Sequence, residues 1–278
     1  MRLVPILLLT SMLPCAVLRG AEPAAGADLA EAWTGLTEQR HAEAREVFAR
    51  RLAAGGAEAR EARLGLALAL LGLQPRTQGN VSAARELLTP LADAAEPDGW
   101  SRQARYFLGR IAELHEREPD LALARRHYQR LFDEHPDDPL AQVAAVKIVL
   151  LSANAVTPPD AKRAALQNYE AWAERLTYAA ARRDFHAVMT QAYLRHVPDD
   201  LGAARRHALA AHALGFTDPV RRLSNILRIA ELSRVLGDVA QARSFYEQFL
   251  AEAGRDGRVL LVRERLAALP SGTAAVAP

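Results

Sequence analysis

The stretch Gly237-Asp238-Val239-Ala240-Gln241-Ala242-Arg243-Ser244-Phe245-Tyr246-Glu247-Gln248-Phe249 decides the fold. Asp238 is a good helix N-cap, because its carboxylate can accept the amide protons that a first turn leaves unsatisfied. Val239, Ala242, Tyr246 and Phe249 follow at spacings of three and four, so they share one helical face. The same pattern recurs up the chain around Ala44, Ala84, Ala124, Ala165 and Ala204, with a large apolar residue usually four positions after the alanine. These anchors step by 40, 40, 41, 39 and 38 residues, counting on to Ala242. A period of that length is the mark of stacked supersecondary units, none of which can bury its apolar face alone.

Earlier in the chain, Asn80, Asp120 and Asp200 stand where Asp238 does, each expected to cap a helix. Val81, Leu121, Leu201 and Val239 come next, and Leu91, Leu131, Trp172 or Phe249 lie seven past the anchor on the same face. Arg follows the anchor in five of the six copies, one position off that face, and reads as a solvated charge with a packing stem. A further amphipathic stretch precedes each copy. These first helices are expected near 28–38, 58–73, 100–116, 138–153, 180–196 and 220–236, with breaks at turn clusters such as Gly55-Gly56, Glu96-Pro97-Asp98-Gly99 and Pro136-Asp137-Asp138-Pro139. Val143 to Leu151 could be a buried strand, but its length fits a helix better.

Composition agrees. Of 278 residues, 50% are hydrophobic and only 6% aromatic, with Ala, Leu, Arg and Glu abundant, which is the make-up of packed helices. A single cysteine allows neither an intramolecular disulfide nor a cysteine-based zinc cage. Residues 1–20 read as a secretory signal peptide, with Arg2 ahead of an apolar stretch that is too short and too proline-broken for a permanent membrane span. Cys15 within it only weakly resembles a lipid-attachment site. Arg2 and Arg19 account for the whole net charge of +2. The mature chain is therefore neutral, with no bulk attraction for nucleic acid and no transmembrane span.

Helix pairs with small residues at the crossing and an aromatic beyond them resemble tetratricopeptide (TPR) repeats. The last copy matches best through Ile226, Ile229, Ala230, Gly237, Asp238, Ala242, Tyr246 and Phe249; the third has Leu108-Gly109, Ala124, Tyr128 and Pro136, and the fifth Ala192 and Ala204. The resemblance spans about residues 28–252. It implies an all-α, right-handed superhelical solenoid of six antiparallel helix pairs (28–54, 58–94, 100–134, 138–175, 180–213, 220–252), closed by a capping helix at 256–269 and a disordered tail at 270–278. The period near 40 exceeds that family's 34 and also suits HEAT-type repeats. The resemblance further implies a concave face of first helices, selecting His186, Met189, Tyr193 and His196 in the fifth copy and Gln103, Tyr106, Arg110 and Glu113 in the third. The same residues could instead pack between repeats. A lysine and asparagine clamp for a terminal carboxylate is not apparent, since Lys147 and Lys162 are the only lysines.

Catalytic patterns are missing from the sequence. His186 and His196 are ten apart, and His207 and His212 five apart, so neither makes the metal-binding pair of a zinc-hydrolase helix. Asp137-Asp138 and Asp199-Asp200 sit beside prolines at helix starts, where capping explains them, and Asn80-Val81-Ser82 is a glycosylation sequon of the kind that arises by chance. The expected function is non-catalytic and without a cofactor: an exported, periplasmic or envelope-associated scaffold that binds a protein or peptide, the best candidate contacts being Tyr106, Arg110, His186, Met189, Tyr193 and His196. The alternative is a glycan-binding accessory subunit, in which Tyr106, Trp172 and Tyr193 face a common groove.

Overall fold

The computed structural model describes residues 27–155 and 158–270; the signal segment, Cys15 and the tail beyond Pro270 lie outside the described residues. Among these the chain is helical throughout, without a strand. Six first helices, Ala27–Thr37 (α1), Ala59–Gly72 (α3), Gly99–Arg110 (α5), Pro139–Asn154 (α7), Ala179–His196 (α10) and Pro219–Val235 (α12), alternate with second helices. The second helices are His41–Ala54 (α2), Gln78–Ala92 (α4), Leu121–Glu134 (α6), Pro159–Glu170 (α8), Leu201–Ala213 (α11) and Val239–Glu252 (α13). A one-turn helix, Trp172–Arg175 (α9), follows α8, and Val259–Ala267 (α14) ends the series. The chain divides into two compact units, one through Ala144 and one from Ala145.

Capping starts the helices where the carboxylates stand. Asp120 accepts from the Leu123 amide (2.8 Å), Asp200 from Ala203 (2.9 Å) and Asp238 from Gln241 (3.1 Å). Asn80 does not cap: Thr77 does, its Oγ1 accepting from the Asn80 amide at 3.2 Å, so α4 begins at Gln78, three residues ahead of the expected start. Anchors Ala44, Ala84, Ala124, Ala204 and Ala242 are all buried. The fourth copy departs, with Ala165 half-buried and Leu166 buried in its place, and Trp172 falling after the break at Ala171. Leu121, the first residue of α6, is 42% exposed.

In the first unit each helix packs on the next, and first helices also touch one another, α1 on α3 and α3 on α5. Two glycines permit the closest approaches. A Cβ on Gly65 would stand 2.3 Å from the Phe48 ring, and one on Gly109 2.5 Å from that of Tyr128. Such contacts are closer than any side-chain carbon tolerates, so the aromatic four past the anchor seats on bare backbone. Beyond Gly109 the helix widens into one π turn, Ile111–His115, and buried Glu113 there accepts from the Tyr128 hydroxyl at 2.7 Å.

Successive repeats are pinned by a recurring ion pair. Arg60 in the first turn of α3 bridges to Asp98, the cap of α5, at 2.9 Å, and Arg102 in α5 bridges to Asp138, just before α7, at 2.7 Å. In the second unit Arg163 of α8 reaches Asp199 at 2.5 Å, and Arg205 of α11 reaches Asp238, the cap of α13, at 3.0 Å. Each pair joins residues about one period apart. Arg205 directly follows an anchor, as does Arg85, which pairs with Glu116; these arginines are inter-repeat links rather than idle solvated charges.

Candidate functional site

The sequence-selected residues of the second unit lie on α10, which is covered by α8 and α11. His186, Met189 and Tyr193 are buried there, and His196 is half-buried at the helix end, its Nδ1 3.2 Å from Lys162 Nζ. The buried three point at the second helices. The Tyr193 hydroxyl donates to Glu170 Oε1 (2.7 Å), His207 Nε2 lies 3.1 Å from that same oxygen, and His207 Nδ1 lies 2.9 Å from His186 Nδ1. A carboxylate only accepts, so His207 donates from Nε2; its Nδ1 then accepts, and His186 carries its proton on Nδ1.

Burial sets the electrostatics of this chain of groups. Desolvation, with the His207 ring next in weight, lowers His186 to about 4, and desolvation also lowers His207 against the opposing pull of Glu170. Burial and the hydrogen bond to Glu170 push the Tyr193 hydroxyl up. Both histidines are therefore neutral at pH 7. Chemically the arrangement could pass a proton between Glu170 and His186, but His186, His207 and Tyr193 are buried between α10 and α11, and Glu170 alone of the four is partly exposed.

In the first unit Tyr106 is 2% exposed, its ring against Tyr128 (centroids 5.6 Å) and Phe107 (5.5 Å). Burial raises its hydroxyl pKa, opposed by the neighbouring Arg110, which is half-buried. Gln103 is buried with Oε1 lacking a partner, and Glu113 holds Tyr128. Tyr106, His186, Met189 and Tyr193 thus occupy packing positions, the other reading of the same offsets. The reason is rotational. The pairing of α10 with α11 turns the His186 and Tyr193 side inward, and Gln191, five residues past His186, lies about 140° round the helix.

That outward side carries residues the sequence reading passed over. Gln191 and Arg195, one turn apart on α10, are both exposed. Gln191 Oε1 accepts from Arg228 Nη1 (2.8 Å) and Nη2 (2.6 Å) on the next first helix, α12. Arg195 Nη1 donates to Asn154 Oδ1 (3.3 Å) at the end of the preceding one, α7. The first helices of this unit therefore meet along one polar seam. A usable signal was in the sequence: α10 and α12 hold seven arginines against the acids Asp184 and Glu231. Among the described residues no group of three or more histidine, cysteine or acidic side chains is placed to hold a metal ion, and no helix is long and apolar enough to cross a membrane. In comparisons with known proteins, no family model matches the chain and no curated protein is similar enough to count as a relative.

Proposed function

We propose that the chain is a non-catalytic, protein-binding helical repeat of TPR type, each unit a stretch of right-handed superhelix, and that its partner lies along the face of first helices. The observation that carries this reading is the ion pair repeated one period apart. Arg60 with Asp98 and Arg102 with Asp138 join one first helix to the start of the next, and Arg205 with Asp238 joins one second helix to the cap of the next, as expected of a stack in which each repeat contacts only the next. Such a stack presents successive first helices as one extended surface, and the Gln191–Arg228 and Asn154–Arg195 contacts run across three of them. The leader-like residues 1–20 support an exported protein that works in the periplasm or envelope. The glycan-groove reading loses its aromatic lining, since Tyr106 and Tyr193 are both internal.

Site-specific photo-crosslinking tests the proposal. A photoreactive residue at Gln191, on the first-helix face, should trap a defined partner identified by mass spectrometry. One at Glu247, exposed on second helix α13, should not. Equal trapping from both positions, or from neither, contradicts the reading.

A further inference from the structure

Arg228 is half-buried, and among the described residues it has no carboxylate within ion-pairing distance. Its partner is the neutral amide of Gln191. Desolvation lowers its pKa, with no compensating acid. Burying a cation beside a neutral amide is costly, and that cost falls when an anion arrives. Arg195 is exposed, and among the described residues it too has no carboxylate partner, its hydrogen bond going to the Asn154 amide, while Lys162 Nζ meets the Ala153 carbonyl (3.3 Å) and His196.

Among the described residues, the two acids of α10 and α12 are both engaged elsewhere. Asp184 is held by Arg183 (3.1 Å) and Arg221 (2.8 Å), and Glu231 by Arg234 (3.2 Å), Arg265 and the Tyr246 hydroxyl (2.7 Å). The α10–α12 layer is therefore cationic although the chain minus its leader is neutral. The geometry adds direction. Gln191 and Arg195 leave the same face of α10, one forward to α12 and the other back to α7, so that face is the outer surface of the layer.

We infer that the seam formed by Arg195, Gln191 and Arg228, flanked by Asn154 and Lys162, is a docking surface for an acidic segment of a protein partner. Its carboxylates replace the amide on the planar fork of Arg228 and reach Arg195 one helical turn away. The amides of Gln191 and Asn154, released from the guanidiniums, then serve the backbone of the incoming segment. A peptide is favoured over nucleic acid because cations and amides alternate along the seam, whereas a phosphate track calls for cations in series with stacking aromatics. The inference rests on the first-helix face being the partner surface.

Fluorescence anisotropy with a labelled oligoglutamate peptide and the full chain tests it. The peptide should bind at low salt and weaken as salt rises. Arg228→Gln and Arg195→Gln should each weaken binding about tenfold. Arg206→Gln, exposed on second helix α11, should leave it unchanged. Because Arg228→Gln could loosen the packing, Arg228→Lys, which keeps the charge and loses the fork, should fall between it and the parent. Absence of oligoglutamate binding overturns the inference, as does equal loss in the Arg206 variant, or tighter binding of a single-stranded DNA oligonucleotide at the same salt. Crosslinking from position 191 without oligoglutamate binding removes the acidic segment and leaves the partner face standing; oligoglutamate binding without any crosslink does the reverse.

Discussion

Replacing Gly109 by alanine adds one methyl group to a helix interior, where alanine is ordinarily worth about 1 kcal/mol over glycine. The structure reverses the sign. The new Cβ would lie 2.5 Å from the Tyr128 ring, which must retreat by about 1 Å to reach ordinary contact. That ring is fully buried, has the Tyr106 ring 5.6 Å away, and is tethered through its hydroxyl to Glu113 at 2.7 Å. Overpacking of this kind costs about 1–3 kcal/mol, and straining a hydrogen bond to a buried carboxylate adds a comparable amount. After subtracting the propensity gain, Gly109→Ala should destabilise by about 2 kcal/mol. Gly79→Ala is the control, since only Thr77 Oγ1, at 3.9 Å, is near its Cβ. It should be neutral or stabilising by up to about 1 kcal/mol. Urea unfolding followed by circular dichroism reads both. A Gly109 variant as stable as the parent would refute the claim that the aromatic seats on the glycine backbone.

Acid should weaken the second unit. The folded pKa of His186, about 4, lies below its unfolded value near 6.5, so its contribution is complete above pH 6.5 and is lost as pH falls from there through 4. The loss is about 3 kcal/mol at most, with Arg182 and His207 opposing the charge on His186 and Glu170 favouring it; urea midpoints at pH 7.5 and 5 should differ, and His186→Gln should flatten the difference. Asp98→Ala removes both the cap on the Ser101 amide (2.8 Å) and the bridge from Arg60, and should cost about 1–2 kcal/mol by thermal melt. Gln191→Glu supplies in the chain the carboxylate that Arg228 lacks, and should raise stability by about 1 kcal/mol in the same assay.

The helices were legible because apolar spacing and carboxylate caps are local properties. Asp120, Asp200 and Asp238 cap as their positions imply, and the first helices begin and end within a residue or two of the amphipathic stretches, apart from the π turn after Arg110. Asn80 misled because Thr77, three residues earlier, offers a second capping oxygen, and one-turn choices between two caps are not settled locally. In the fourth copy α8 begins at Pro159, and the buried position passes from Ala165 to Leu166. The candidate site was harder to read. Which side of α10 faces out depends on where α8, α11 and α12 pack, and a residue such as Tyr193 suits an interior hydrogen bond as well as a groove. Gln191 drew no attention because a lone glutamine has no motif; its meaning comes from Arg228, thirty-seven residues on.

In the second unit the proposed partner surface is the face of first helices, with Arg228 as its unneutralised cation. Titration of labelled oligoglutamate into Gln191→Glu beside the parent chain tests it most directly, because the new carboxylate occupies the guanidinium from within. At least about a tenfold loss of affinity is expected. Unchanged affinity in a variant that remains folded would contradict it.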